Sequence, residues 1–249
     1  MLPTTGYARA AGPLAIAHRG GAALAPENTL AAYDLALQMG AQHIELDVHQ
    51  SRDGYVVVIH DDTLDRTTDG TGPVCARSLD ELRQLDAGSW FGQAYTGARI
   101  PTLDEVLERY GGRARLHIEI KGRTPGLVPA TVGLVRSHRL ERAITITSFH
   151  LAALEETRAC APELATGWLV NDVPQATVAT ALCLRLTQLC PRADLITPDL
   201  VQELHSRGLV VRAWGVGDEA LMRRVVEAGA DGMTVNFPDR LLAYLAGRQ

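Results

Sequence analysis

The 249-residue sequence is almost devoid of lysine: of its 24 basic residues only Lys121 is one, and arginine supplies the rest. Other things are scarce as well. The four cysteines, Cys75, Cys160, Cys183 and Cys190, form no CxxC pair, which argues against a zinc site or a disulfide framework; buried free thiols are the expectation. No stretch approaches the ~20 consecutive apolar residues that a bilayer span needs, so stable membrane insertion is not expected. Residues 1–17 lack a basic start followed by a long apolar run, so no secretory leader is expected, and the expected compartment is cytoplasmic. Net charge is −5 with no basic run, which argues against a nucleic-acid partner.

What is present is an ordinary globular mixture, 46% hydrophobic and 21% charged. Short aliphatic runs alternate with stretches of helical spacing. The expected strands are 14–18, 43–47, 115–120, 143–147, 164–169, 194–196, 209–214 and 232–235. The expected helices are 29–39, 103–110, 127–138, 151–160, 175–186, 200–206, 220–228 and 240–245. Eight strand–helix units in a chain of this length predict an α/β fold, a (β/α)8 TIM barrel, over a single domain spanning residues 1–249. A doubly wound open sheet is the alternative. Residues 49–102 break the rhythm as a small insertion after strand two. There Asp53-Gly54 reads as a hairpin turn, 55–59 as an extra strand and 79–85 as a short helix.

Charged residues collect on two neighbouring barrel strands. Side chains alternate faces along a strand, so Glu45 and Asp47 share one face while Ile44, Leu46 and Val48 take the other. The next barrel strand repeats this, with His117, Glu119 and Lys121 opposite Leu116, Ile118 and Ile120. Barrel helices cover the outer face, so the aliphatic set belongs there and the carboxylates point inward. Three converging buried carboxylates repel unless something neutralises them, and a hard divalent cation with oxygen preference, Mg2+ or Ca2+, does so. A metal-free salt-bridge net with Arg19 and Lys121 is the alternative. Asp47 stands roughly 6.6 Å beyond Glu45 by strand rise, and the longer glutamate arm recovers part of that gap.

His18 and His60 each end an apolar run and bracket these acids; two imidazoles titrating near neutrality suit base and acid roles in one displacement. Asp61 or Asp62 could equally hold His60 as a structural partner. His43, His49, His138, His150 and His205 carry no comparable context and are expected to be solvated, while His117 lies deeper as packing or support. In His18-Arg19-Gly20-Gly21 the glycines let the backbone approach an anion and Arg19 supplies a forked cation. A divalent ion, the three acids, Arg19 and Lys121 together leave one positive charge, the complement of one phosphodiester.

These residues are also where the chain resembles the glycerophosphodiester phosphodiesterases, in the phospholipase-C-like phosphodiesterase group. The match runs through IAHRGG, APENTLAAY, HIELDVHQSRDGYVVVIHDDTLDRTTDG, LDAGSW, IPTLDEVL, HIEIKG, ITSFH and GADGMTVNFPD. The resemblance implies a phosphoric diester hydrolase on a TIM barrel that cleaves small glycerophosphodiesters to glycerol 3-phosphate and an alcohol, through a cyclic phosphate. It implies an acid/base pair on His18 and His60, in either order, and metal ligands on Glu45, Asp47 and Glu119. It implies phosphate contacts from Arg19 and Lys121, and one divalent cation, Mg2+, Ca2+ or Mn2+. Where relatives tend to have Trp-Thr-Val-Asn, this chain has Trp214-Gly215-Val216-Gly217, so Trp214 is kept as a substrate contact or core residue, and the missing asparagine bears on a loop contact and not on the metal. The short insertion resembles that of compact bacterial members and implies a small head-group pocket, for which Trp90, Phe91 and Phe149 are candidate linings.

Three rival functions meet obstacles in the residues. A lysophospholipase D needs an apolar groove, and no extended aliphatic or aromatic stretch offers one. Metal-dependent amidohydrolases want HxH after strand one, where this chain has HRG. A binding barrel without turnover has no need of two acid/base histidines.

Overall fold

The computed structural model describes residues 12–248. The expectation of no leader falls largely on residues 1–11, outside the described residues. In chain order the strands are β1 (Leu14–Ala17), β2 (His43–Gln50), β3 (Val56–Val58), β4 (Arg115–Ile120) and β5 (Ile144–Ser148). They continue as β6 (Ala165–Val170), β7 (Gln188–Pro191), β8 (Val210–Val216) and β9 (Gly232–Val235). The helices are α1 (Leu30–Gln38), α2 (Leu79–Leu82), α3 (Leu103–Tyr110), α4 (Leu127–Ser137) and α5 (Leu151–Cys160). Then follow α6 (Gln175–Cys183), α7 (Pro198–Ser206), α8 (Glu219–Glu227) and α9 (Pro238–Ala246).

Parallel pairing runs β1–β2–β4–β5–β6–β7–β8–β9, and β9 pairs back onto β1, closing an eight-stranded barrel. This is a TIM barrel, as expected. β3 lies outside the ring and pairs antiparallel to β2. The helix starts explain themselves locally. Thr29, Thr197 and Asp218 accept the N–H three residues on, and Ser78 and Thr102 close capping boxes with Glu81 and Glu105.

The even-numbered residues Ile44, Leu46, Val48, Leu116, Ile118 and Ile120 are buried in one apolar layer with Val106, Leu107 and Val132 from the helices. The face assigned to the aliphatic set is therefore the one that packs outward. The insertion has a small core of its own, in which Val57, Ile59, Leu64, Leu82 and Ile100 meet.

Two expectations need correction. Residues 194–196 are not a strand: Ala193–Leu195 is a 3-10 turn, and the barrel strand is β7 at Gln188–Pro191. Asp194-Leu195-Ile196 looked the more strand-like because β7 presents polar or small Gln188 and Cys190, and ends in proline. The cysteines are free, but only Cys190 is buried; Cys75, Cys160 and Cys183 are exposed. Among the described residues, no helix is long and apolar enough to cross a membrane.

Candidate active site

Register, more than sequence distance, assembles the acids. Parallel pairing sets Asp47 beside Glu119 and Glu45 beside His117, all on the inward face. Glu45, Asp47 and Glu119 are buried, and each offers an oxygen within 4.8 Å of the others. Around them lies a cavity of about 330 Å3. His18, Arg19, His60, Lys121, Phe149 and Trp214 line it too. All eight residues singled out from the sequence thus come together, seven of them on the cavity wall and Asp47 in the cluster beneath it.

Two of the carboxylates, Glu45 and Asp47, are half used. Glu45 Oε2 accepts the backbone N–H of Arg19 at 3.0 Å, and Asp47 Oδ2 accepts Asn28 Nδ2 at 2.8 Å. Arg19 Nε stands 3.3 Å from the same Asp47 oxygen. Glu45 Oε1 and Asp47 Oδ1, both buried, have no hydrogen-bond partner. Glu119 Oε1 has the Lys121 ammonium 3.1 Å away. Burial first, and then the neighbouring carboxylates, raises Glu45 well above the ordinary range. Burial and the charge of Asp47 raise Glu119 to about 7. Buried carboxylate oxygens without a donor are costly, and an oxygen-preferring divalent cation satisfies them. The donor set therefore fits such an ion, which all three side chains could hold.

The salt-bridge net weighed as the alternative to a metal is present in part, through Arg19–Asp47 and Lys121–Glu119, and it leaves those two oxygens unserved.

Both imidazoles are tied by one nitrogen. His18 Nδ1 donates to Asn236 Oδ1 at 2.5 Å, with its Nε2 3.9 Å from Glu45 Oε2. His60 Nδ1 donates to Asp61 Oδ1 at 2.5 Å, so the structural partner considered for His60 is Asp61. Burial, then the Arg19 charge, lowers His18 to about 4, and burial lowers His60 as well. Both rings are thus neutral around pH 7, with Nε2 left as the lone-pair nitrogen. His60 arrives by an unexpected route. β3 runs back down alongside β2, and the Ile59 N–H donates to the Asp47 carbonyl at 3.1 Å, which brings His60 to the level of the acids.

Of the aromatic candidates, Phe149 and Trp214 form an edge-to-face pair with centroids 4.8 Å apart, and Trp214 Nε1 donates to the Val170 carbonyl. Lys121 Nζ lies 5.5 Å from the Phe149 ring centre. Trp90 and Phe91 pack on each other in the insertion and are not among the cavity linings.

His43 and His49 are buried, not solvated as expected. They share the odd-numbered parity of Glu45 and Asp47, which is the signal that would have placed them. His43 and His117 share a hydrogen bond of 3.1 Å beneath the acids, and His49 Nε2 donates to the His60 carbonyl. Glu27, Asn28, Arg66 and Asn236 lie within the stretches that carry the resemblance but have no role assigned from the sequence, and Arg212 lies outside them; Arg212 is buried on β8 and lines the cavity.

Residues 18–240 match the model of the glycerophosphoryl diester phosphodiesterase family. The chain is 38% identical to a glycerophosphodiester phosphodiesterase of Caldanaerobacter subterraneus subsp. tengcongensis, over 92% of this chain and 96% of that one. Its fold is similar to the crystal structure of a glycerophosphodiester phosphodiesterase from Agrobacterium tumefaciens, with a TM-score of 0.84 and 35% identity, covering 93% and 99% of the two chains. It is similar as well to an Oleispira antarctica phosphodiesterase in complex with the product sn-glycerol-3-phosphate, at a TM-score of 0.86 and 36% identity over 94% and 97%.

Proposed function

The chain belongs to the glycerophosphoryl diester phosphodiesterase family, whose members are phosphoric diester hydrolases, and from that premise we propose that it hydrolyses small glycerophosphodiesters to glycerol 3-phosphate and an alcohol. The observation that supports this most is the meeting of two half-used carboxylates, Glu119, two singly tethered imidazoles and two cations around one cavity.

Glu45, Asp47 and Glu119 would hold a divalent ion, Mg2+, Ca2+ or Mn2+. When bound, such an ion polarises phosphate oxygens and lowers the pKa of a nearby hydroxyl. Arg19 and Lys121 carry the remaining phosphate charge, Arg19 through its planar fork and Lys121 as a compact point charge. One imidazole takes the proton of the glycerol 2-hydroxyl as that oxygen attacks phosphorus, and the other protonates the departing alcohol. Water then opens the cyclic phosphate with the two proton-transfer roles exchanged. The Phe149–Trp214 pair walls the cavity and limits where the substrate's carbon skeleton lies. The exposed thiols of Cys75, Cys160 and Cys183 suit a reducing compartment, and we place the enzyme in the cytoplasm.

The direct test is release of glycerol 3-phosphate from glycerophosphocholine or glycerophosphoethanolamine. Activity should vanish with chelator and return with Mg2+, Ca2+ or Mn2+. His18→Ala and His60→Ala should each lower kcat by at least ~10²-fold. Undiminished turnover in the double variant overturns the histidine roles, and full activity after exhaustive chelation overturns the ion.

A further inference from the structure

Arg66 comes from the insertion, yet its guanidinium is committed to two acids at the mouth of the barrel. Nε donates to Asp61 Oδ2 at 2.6 Å and Nη2 to Asp61 Oδ1 at 3.0 Å. On the other side Nη1 and Nη2 donate to Glu27 Oε2 and Oε1 at 2.9 and 2.8 Å. Glu27 is itself buried, and its Oε1 also accepts Arg19 Nη1 at 2.8 Å. Since Arg19 reaches Asp47 and Asp61 accepts from His60, an unbroken chain of charge-assisted contacts joins His60 to the carboxylate cluster.

This arrangement has a chemical consequence at one atom. A neutral imidazole offers a lone pair at one nitrogen only, and a half-turn of the ring exchanges the two positions. With the proton on Nδ1 pinned by Asp61, Nε2 remains the basic nitrogen, and the imidazolium formed when Nε2 gains a proton is stabilised by the adjacent carboxylate. Asp61 is only partly covered, so by itself it would be free to turn toward water. Arg66 grips both of its oxygens and is in turn braced by buried Glu27.

We propose that Asp61 and Arg66, braced by Glu27, are positioning residues that fix the tautomer and orientation of His60. The inference rests on the reading of His60 as an acid/base group. It gives the insertion a part in the reaction beyond covering the barrel, because Asp61 and Arg66 both belong to it.

The experiment is a double-variant cycle on the Mg2+-loaded enzyme with glycerophosphocholine, comparing D61N, H60A, D61N/H60A, R66Q and R66K. D61N should lower kcat by ~10²–10⁴-fold with KM changed less than about threefold, as loss of a histidine's orienting carboxylate does. In the H60A background the same change should cost almost nothing, because Asp61 acts only through the ring. R66Q should lower kcat by at least about tenfold, and R66K, which keeps the charge and loses the fork, should recover part of it. A merely structural pair predicts equal losses from D61N with and without His60. That additivity would overturn the proposal, as would D61N and R66Q both turning over at the normal rate while H60A is inactive. If D61N does not fold, the exposed Arg66 pair of variants decides alone. Full turnover by H60A sinks the parent reading instead, and with it the relay.

Discussion

The amide of Asn28 donates to Asp47 Oδ2 at 2.8 Å and turns its own oxygen to the hydroxyl of Tyr33, which donates at 3.0 Å. Asn28 has φ of 58°, a left-handed conformation that asparagine tolerates better than most residues. The side chain thereby aims the free oxygen of Asp47 at the centre of the cluster. Asn28→Ala should weaken Mn2+ binding by about 10–100-fold, the usual cost of removing a hydrogen bond that orients a ligand. It also strands the buried Tyr33 hydroxyl, worth about 1–3 kcal/mol. Isothermal titration of the metal-stripped protein checks the first part; an unchanged affinity would mean that Asp47 needs no such hold.

Mutual repulsion among Glu45, Asp47 and Glu119 makes the cluster a reservoir of unfavourable energy that a cation relieves. Saturating Mg2+ or Mn2+ should therefore raise the melting temperature, by an amount equivalent to about 2.7 kcal/mol at a hundredfold excess over Kd. Chelator should reverse the rise. In Glu45→Gln the shift should nearly disappear, while the protein without metal should melt at or above the parent temperature because a buried carboxyl whose ionised form is disfavoured by burial and by its acidic neighbours has gone. A metal-induced shift of parental size in that variant would place the ion elsewhere.

How much of this was visible beforehand divides along physical lines. Strand parity alone brought out Glu45, Asp47, Glu119 and Lys121, because a period of two fixes faces regardless of the surroundings. The same rule would have buried His43 and His49, but histidine is equally at home on a surface, and composition gave no reason to prefer the interior. Asp61 is one of the two partners that the sequence offers for His60, but the continuation of the relay through Arg66 and Glu27 is out of reach for another reason. Its members are joined across 39 residues by side-chain geometry, on a segment with no periodicity to reveal which way each one turns. β7 was missed because a barrel strand whose inward residues are Gln188 and Cys190 carries little aliphatic signal.

Glu27 supplies a pH dependence whose sign follows from its partners. Burial alone would raise its pKa, but hydrogen bonds from Arg66 and the charge of Arg19 hold it below the ordinary carboxylate value. A depressed carboxylate contributes stability that is fully present above its unfolded pKa, near 4.5, and is lost as pH falls through the folded value. Denaturant midpoints should thus be flat with respect to this group at neutral pH and decline below about pH 4.5. Glu27→Gln should be less stable than the parent at pH 7, with the gap narrowing as the solution is acidified. A gap that widens in acid would contradict the ion-pair account.

Gly20 answers why two glycines follow His18 and Arg19. Its φ is +86°, and a β-carbon there would fall 2.7 Å from the Ala32 side chain and 2.8 Å from the Ala32 backbone, both in α1. The turn that carries His18 and Arg19 therefore lies directly on a helix, and neither neighbour is a flexible chain end that could swing away. Gly20→Ala adds backbone strain to a clash, so a loss of more than about 2 kcal/mol is expected, together with displaced His18 and Arg19. Gly21, at φ +99°, would meet the Pro238 ring at 3.2 Å and the Asn236 carbonyl at an ordinary 3.8 Å, so steric relief is easier there and most of the cost is conformational. Urea unfolding of the two alanine variants separates the cases: Gly20→Ala should be the less stable. Equal midpoints would show that the contact with α1 contributes nothing and that positive φ alone dictates glycine in this turn.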